Sequence, residues 1–287
     1  MSISIIQSRL ETYSCTTARD EDHAVREIAQ EVVLSALGRT DFFRFAAFHG
    51  GTCLRIFYGL NRFSEDLDFC LHERSAAFAL APFLQTVAEE VRAYGFDPEI
   101  QDRSNAEAVV KKAFIKDDSL GKVLQFSFLD RKRTMRKIRI KIEVDTNPPV
   151  GATSELKYLD FPFVSSATVH DLPSLFSGKL HALLCREYLK GRDWYDFLWY
   201  SSRAISHNVT MLSAALCQSR PWAGQEVEAN AAWCAAEIGR KIESIDWQAA
   251  ALEVAPFVKQ EEQRSLGLWS TALFLNQTGK VFRAHRT

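Results

Sequence analysis

Paired cysteines are missing from this sequence. Its six (Cys15, Cys53, Cys70, Cys185, Cys217 and Cys234) form no CxxC and no tight Cys/His cluster, so neither a disulfide framework nor a zinc site is expected. His181 and Cys185 stand four apart, a spacing that ligates metal only with further ligands. No stretch approaches the roughly 18 consecutive apolar residues of a membrane span, and the start, Met1 to Arg9, lacks the apolar run of a secretory leader. A cytoplasmic protein without a membrane partner is the expectation. Charge of one sign is not in excess: 35 Lys and Arg face 36 Asp and Glu, for a formal net charge of −1. Indiscriminate nucleic-acid binding, which draws on a strong positive excess, is thereby disfavoured. No internal repeat and no low-complexity tract is visible. What is present is an ordinary globular composition, 47% hydrophobic and 25% charged over 287 residues. That length suits two domains or one elaborated domain.

The most informative stretch starts at His49-Gly50-Gly51-Thr52 and continues through Arg62-Phe63-Ser64-Glu65-Asp66-Leu67-Asp68-Phe69. Phe43, Phe45, Ala47 and Phe48 before the glycines fit a short buried strand, and Leu54, Phe57 and Tyr58 after them follow helical spacing. A strand running through two glycines into a helix leaves backbone N–H groups at Gly51 and Thr52 for an anion, with the positive end of the helix dipole behind them. Thr52 could add its hydroxyl. The same residues read equally as a tight turn with Thr52 as N-cap. Asp66 and Asp68 share one face of a strand, at Cα positions roughly 7 Å apart, while Leu67 and Phe69 face the core. Two such carboxylates opposite a phosphate cradle suit magnesium, which is held by one or two carboxylates plus substrate phosphates.

A third carboxylate is needed if two ions serve an in-line displacement. Ile138, Ile140, Ile142 and Val144 alternate with Arg139, Lys141, Glu143 and Asp145, a strand with one polar face. Glu143 is the first candidate and Asp145 the second. Pairing of Glu143 with Lys141 or Arg139 is the competing reading.

Further on, Leu172, Phe176, Leu180 and Leu183 follow helical spacing, with Pro173 in a first turn. Lys179, Arg186 and Lys190 make a basic stripe on that pattern, fit for a phosphate or simply solvated. Gly191 reads as a helix stop. Asp193 and Asp196 fit the start of the next helix as capping or dipole-complementing acids, and Arg192 reads as an ion-pair partner or a phosphate ligand.

Gly50-Gly51-Thr52-Cys53-Leu54-Arg55 with Arg62-Phe63-Ser64-Glu65-Asp66-Leu67-Asp68-Phe69, then Lys179-Leu180-His181-Ala182-Leu183 with Lys190-Gly191-Arg192-Asp193-Trp194-Tyr195-Asp196, resembles the AbiEii/AbiGii-type nucleotidyltransferase toxins, which include the MenT enzymes. The wider likeness is to the polymerase-β-like nucleotidyltransferase superfamily. The resemblance spans scattered blocks from about residue 45 to 200. It implies that Asp66 and Asp68 bind metal, that Lys179 contacts nucleotide phosphates, and that Asp193 or Asp196 completes the site. Gly50, Gly51, Thr52, Arg62, Ser64 and Arg192 fall on the nucleotide side. It also implies an NTP substrate, about two magnesium ions, an RNA acceptor at the tRNA 3′ end, blocked translation, and a neutralising antitoxin.

The expected fold is α+β. Residues 1–170 form a mixed-sheet nucleotidyltransferase core with an N-terminal helical segment over about the first 40 residues. Residues 171–287 form a mostly helical domain contributing to the active-site cleft. Leu80, Leu84, Val87 and Val91 predict a helix ended by Gly95, followed by strands near 109–116, 122–129 and 136–145. Asn147-Pro148-Pro149-Val150-Gly151 then breaks the sheet. The basic run Arg131 to Lys137 fits a hairpin connection that could also grip RNA. Trp194, Phe197, Leu198, Trp199, Trp222, Trp233 and Trp247 are expected to pack rather than stack on bases. The alternatives to an RNA-modifying enzyme are a nucleotidyltransferase acting on a small molecule, such as an antibiotic hydroxyl, and a nucleotide-binding regulator without turnover.

Overall fold

The hydrophobic alternation around the two aspartates builds the centre of a seven-stranded mixed sheet. In the computed structural model, which describes residues 2–104, 108–117, 124 and 138–283, the sheet comprises β1 (Ala46–His49), β2 (Asp66–Leu71), β3 (Glu99–Asp102), β4 (Val110–Asp117), β5 (Ile138–Asp145), β6 (Ser154–Leu159) and β7 (Ser165–His170). Their order is β3-β4-β5-β2-β1-β7-β6. The β1/β2 pair is antiparallel and the β2/β5 pair parallel. Along β5 the four apolar residues are buried and the four charged ones are not, as period-two patterning requires.

Helices α1 (Ser2–Glu11), α2 (Ala18–Gly38), α3 (Gly50–Tyr58) and α4 (Ala81–Ala93) accompany this sheet. Two helices thus stand where one helical segment was expected. The break before α2 has a local cause: Thr17 accepts a hydrogen bond from the Asp20 N–H, and the Asp20 side chain accepts from the Thr17 N–H, a reciprocal capping box that fixes the start. Strands β3, β6 and β7 were not anticipated. The prolines after β5 interrupt the chain, but the sheet resumes beyond them at β6 and β7. The expected strand over 122–129 and the basic run Arg131 to Lys137 lie outside the described residues.

From Leu172 the chain is helical: α5 (Leu172–Cys185), α6 (Gly191–Ser202), α7 (Val209–Cys217), α8 (Ala231–Glu243), α9 (Trp247–Val254), α10 (Gln263–Leu266) and α11 (Thr271–Arg283). None of the described helices is long and apolar enough to cross a membrane. Gly191 opens α6 rather than stopping a helix. A Cβ at Gly191 would collide with the carbonyl oxygen of Ala250 on α9, so close helix approach demands glycine there.

The chain divides into two compact units. One comprises Met1–Phe57, Phe63–Pro148 and Leu156–Val169, and the other Tyr58–Arg62, Pro149–Glu155 and His170–Thr287. The first is centred on Phe42, Phe48 and Phe69, with Phe69 4.8 Å from Phe42 and 5.1 Å from Phe48 between ring centroids. The second is centred on Trp194, Phe197, Trp247 and Phe274, where Trp247 stacks on Phe274 at 3.9 Å.

Candidate active site

Within the first unit, the acids of β2 and the turn into α3 come together. Asp66 and Asp68 flank buried Leu67 on the face opposite the core. Across the parallel β2/β5 pair, Asp68 is in register with Glu143 and Asp66 with Lys141. On the other side, His49 at the end of β1 is in register with Asp68. The chain then turns at Gly50 with φ +80°, a left-handed conformation that favours glycine. A Cβ at Gly50 would lie 2.6 Å from Asp68 Oδ2, so the absence of a side chain lets the start of α3 close on that carboxylate. The first N–H groups of α3, at Gly51 and Thr52, have no intrahelical acceptors, and they lie at the positive end of its dipole.

Two side chains fix the entry to β2. The Thr52 hydroxyl, fully buried, donates to the Asp66 carbonyl at 2.5 Å. It is therefore occupied in holding the strand, and its residue sits inside α3 rather than at an N-cap. Gln30 of α2 donates through Nε2 to the carbonyls of Ser64 and Glu65 at 3.2 and 2.8 Å. Gln30 escaped sequence reasoning, although a glutamine among the apolar residues Ile28, Ala29, Val32 and Val33 is itself the signal of a buried polar anchor. Ser64 is present at this entry through its backbone.

The carboxylates differ in their surroundings. Among the described residues, neither the Asp66 nor the Asp68 side chain has a hydrogen-bond or ion-pair partner. Burial, then the proximity of Asp68, pushes the Asp66 carboxyl above its ordinary value. Glu143, by contrast, accepts from Lys112 Nζ at 3.0 Å and Lys141 Nζ at 2.5 Å. Burial alone would raise its pKa, but those two ammonium groups outweigh burial and hold it below the usual carboxylate range. Glu143 was expected to join a three-carboxylate metal site; it stands in register with Asp68, and its carboxylate oxygens accept from the two lysines. No group of three His, Cys, Asp or Glu among the described residues is placed to hold one ion. The donor set of Asp66 and Asp68, hard oxygens that make no ion-pair contact of their own although the Lys141 ammonium bonded to Glu143 acts on both, fits a divalent cation of the magnesium kind. Asp145 accepts from the Asn147 N–H at 2.9 Å and is in register with Cys70, further along the pair.

The second acidic block has a different character, and it lies within the second unit. Asp196 is completely buried and receives Arg62 Nε and Nη2, both at 2.6 Å, together with Lys179 Nζ at 2.7 Å. Asp193 takes Lys179 Nζ at 2.8 Å and Arg186 Nη1. Burial would raise the Asp196 carboxyl, but Arg62 and then Lys179 overcome it and hold it low. Arg192 turns elsewhere, bonding Glu253 through its backbone N–H and Nε at 3.0 and 3.2 Å. Arg62, Lys179 and Arg192 were expected on the nucleotide side; here each donates to a carboxylate. The expected helical stripe of Lys179, Arg186 and Lys190 is also divided, because α5 ends at Cys185.

The family model described as "Nucleotidyl transferase AbiEii toxin, Type IV TA system" matches residues 32–269. This chain belongs to the AbiEii family. It is thus a nucleotidyltransferase toxin of a type IV toxin–antitoxin system, as the motif resemblance implied, and that class pairs the toxin with an antitoxin. Nucleotidyltransferases of this type generally use an NTP and a divalent metal. Among solved structures, the AbiEii chain is similar to a protein from H. pylori described as a candidate nucleotidyltransferase, with 16% identity, a TM-score of 0.52, and coverage of 90% of this chain and 92% of that one. A second, JHP933 from Helicobacter pylori, has 16% identity, a TM-score of 0.50, and coverage of 91% and 95%. The nucleotidyltransferase toxin MenT4 from Mycobacterium tuberculosis shares 18% identity at a TM-score of 0.49 over 96% of this chain and 99% of that one. At their identities the two Helicobacter structures speak to the α+β fold alone. No curated protein matches the chain.

Proposed function

We propose that this toxin transfers a nucleoside monophosphate from an NTP to the 3′ end of a tRNA, in a magnesium-dependent reaction that releases pyrophosphate and arrests translation. The observation that carries the reading is the unpartnered pair Asp66 and Asp68 in contact with the N-terminal turn of α3. Asp66 and Asp68 hold the cation. Magnesium, when bound, neutralises phosphate charge and lowers the pKa of an attached oxygen.

Backbone N–H groups at Gly51 and Thr52 receive phosphate oxygens of the nucleotide, with Gly50 supplying the close approach. The acceptor hydroxyl oxygen attacks the α-phosphorus, the bond from that phosphorus to the bridging oxygen of the β-phosphate breaks, and pyrophosphate leaves with the electron pair. The hydroxyl proton passes to water. Glu143 suits cation binding better than the role of base: a carboxylate held below its usual range is a poor proton acceptor, and this one already collects two ammonium groups. Glu143 would hold a second cation only in exchange for those two lysines, and such an ion would supply further neutralisation of phosphate charge. Asp193, Asp196, Lys179 and Arg62 serve as an ionic core that fixes α5 and α6 against the 58–62 segment, and Arg192 braces α6 against α9.

The test incubates purified protein with magnesium, each α-labelled NTP in turn, and total tRNA, beside Asp68→Ala. Labelled tRNA from the wild type, reduced by about a thousandfold or more in the variant, is expected for loss of a metal ligand at the reacting centre. NTP binding without transfer to RNA would sink the proposal. Transfer to a small hydroxyl compound instead would replace the acceptor while leaving the chemistry.

A further inference from the structure

A cavity of about 290 Å³ lies in the second unit, walled by the end of α5, the 186–190 loop, the start of α6, and the α8–α9 junction. That is room for about ten waters at ~30 Å³ each. Three of its lining residues are cationic: Arg186, Lys190 and Lys241. Its three acids do not offset them equally. Asp193 is engaged by Lys179 and Arg186, Asp246 accepts from the Ala249 N–H at 2.9 Å as the N-cap of α9, and Glu187 is exposed to solvent.

Lys190 stands out. Among the described residues its side chain has no hydrogen-bond or ion-pair partner, although it is partly buried. Burial, then Arg192, Lys179, Arg186 and Arg62, drive its ammonium from the usual lysine value to about 8. A partly buried ammonium with cations around it, and with the nearby carboxylates committed to other donors, is electrostatically incomplete. Lys241 donates to the Arg186 carbonyl at 3.0 Å and so keeps further N–H groups, while Arg186 packs its guanidinium 5.1 Å from the centroid of the exposed Tyr188 ring.

We propose that this cavity is a binding site for a small phosphate-bearing anion, with Lys190 as its central ligand and Arg186 and Lys241 beside it. The volume and three converging cations suit pyrophosphate or the phosphate tail of a free nucleotide. The cavity is lined by residues of the second unit alone, and anion binding there needs neither metal nor acceptor. Its failure is therefore distinguishable from failure of the transfer reaction.

The experiment is calorimetric titration of the full chain with pyrophosphate, in the absence of divalent metal, for the wild type, Lys190→Ala, Lys190→Arg and Asp68→Ala. One charge-assisted contact predicts a loss of affinity of about 10- to 100-fold in Lys190→Ala. Retention is expected in Lys190→Arg and Asp68→Ala. Mass-spectrometric footprinting with an amine-acylating reagent supplies a second readout, with pyrophosphate expected to protect Lys190. Equal affinity in Lys190→Ala and wild type, no binding to wild type, or labelling of Lys190 indifferent to pyrophosphate would each overturn the site. Binding of tRNA at Lys190 without competition from pyrophosphate would overturn the small-anion assignment.

Discussion

Two pairs of aspartates, each on one short element, have opposite surroundings. The side chains of Asp66 and Asp68 on β2 lack a hydrogen bond or ion pair among the described residues, whereas Asp193 and Asp196 on α6 share Lys179, with Arg186 on Asp193 and Arg62 on Asp196. Motif reasoning placed all four in one functional class. Their surroundings separate them: a carboxylate without an ion-pair partner holds capacity for a ligand, while a saturated one binds the fold together. Buried pairs of the second kind contribute little net stability when intact but cost much when half is removed.

The sharpest way to break this contrast is Asp196→Ala, which leaves the Arg62 guanidinium and the Lys179 ammonium buried without their shared acceptor. A loss of about 3–5 kcal/mol in urea unfolding is expected. A loss under about 1 kcal/mol would mean that water already screens the cluster. Next in size is Gly50→Ala, which combines a left-handed φ with a Cβ driven against Asp68 Oδ2. It is expected to cost about 1–2 kcal/mol and to displace that carboxylate, read as weakened manganese binding by paramagnetic titration.

Asp66→Asn should act in the opposite direction on stability. The folded-state pKa of Asp66 is raised, so its contribution to stability is complete below the unfolded value and lost as pH rises through the folded one. Above that folded value the wild type has lost it. The metal-free amide variant should accordingly melt at a higher temperature than wild type, with metal binding lost. A lower melting temperature for the variant above the folded value would refute the claim that the Asp66 carboxylate has no ion-pair partner. The smallest effect belongs to Lys190. With its pKa depressed to about 8, the unfolded chain binds more protons between that value and the ordinary lysine range, so stability rises with pH across that window. Lys190→Met should be slightly more stable than wild type near pH 7, with the gap closing by about pH 10, and wild-type affinity for pyrophosphate should fall as pH passes 8.

The centre of the sheet was legible because period-two patterns are strong in β2 and β5, and because Gly50 precedes a helix. The α+β class followed from these strands and the helical spacing after Pro173. The edge strands were not legible: β3 has only four residues, and β6 exposes Leu156 and Tyr158, so neither shows a buried alternating face. Within the site, residue types announced the acids but not their partners. Lys112 and Lys141 reach Glu143 through strand register, and Arg62 reaches Asp196 across a long sequence separation, neither of which local spacing encodes. The glycine at position 191 misled for a related reason, since what it accommodates is the backbone of α9.

The parallel seam between β2 and β5 has one further consequence. Because side chains alternate with a period of two, sliding β2 by a single residue would send Asp66 and Asp68 into the phenylalanine core and turn Leu67 and Phe69 outward. Gln30 and Thr52, clasping the carbonyls on the threshold of the strand, leave it one permitted notch. Misalignment of this strand would thus bury two charges at once, so the chemistry of the acid pair also proofreads the assembly of the sheet that carries it.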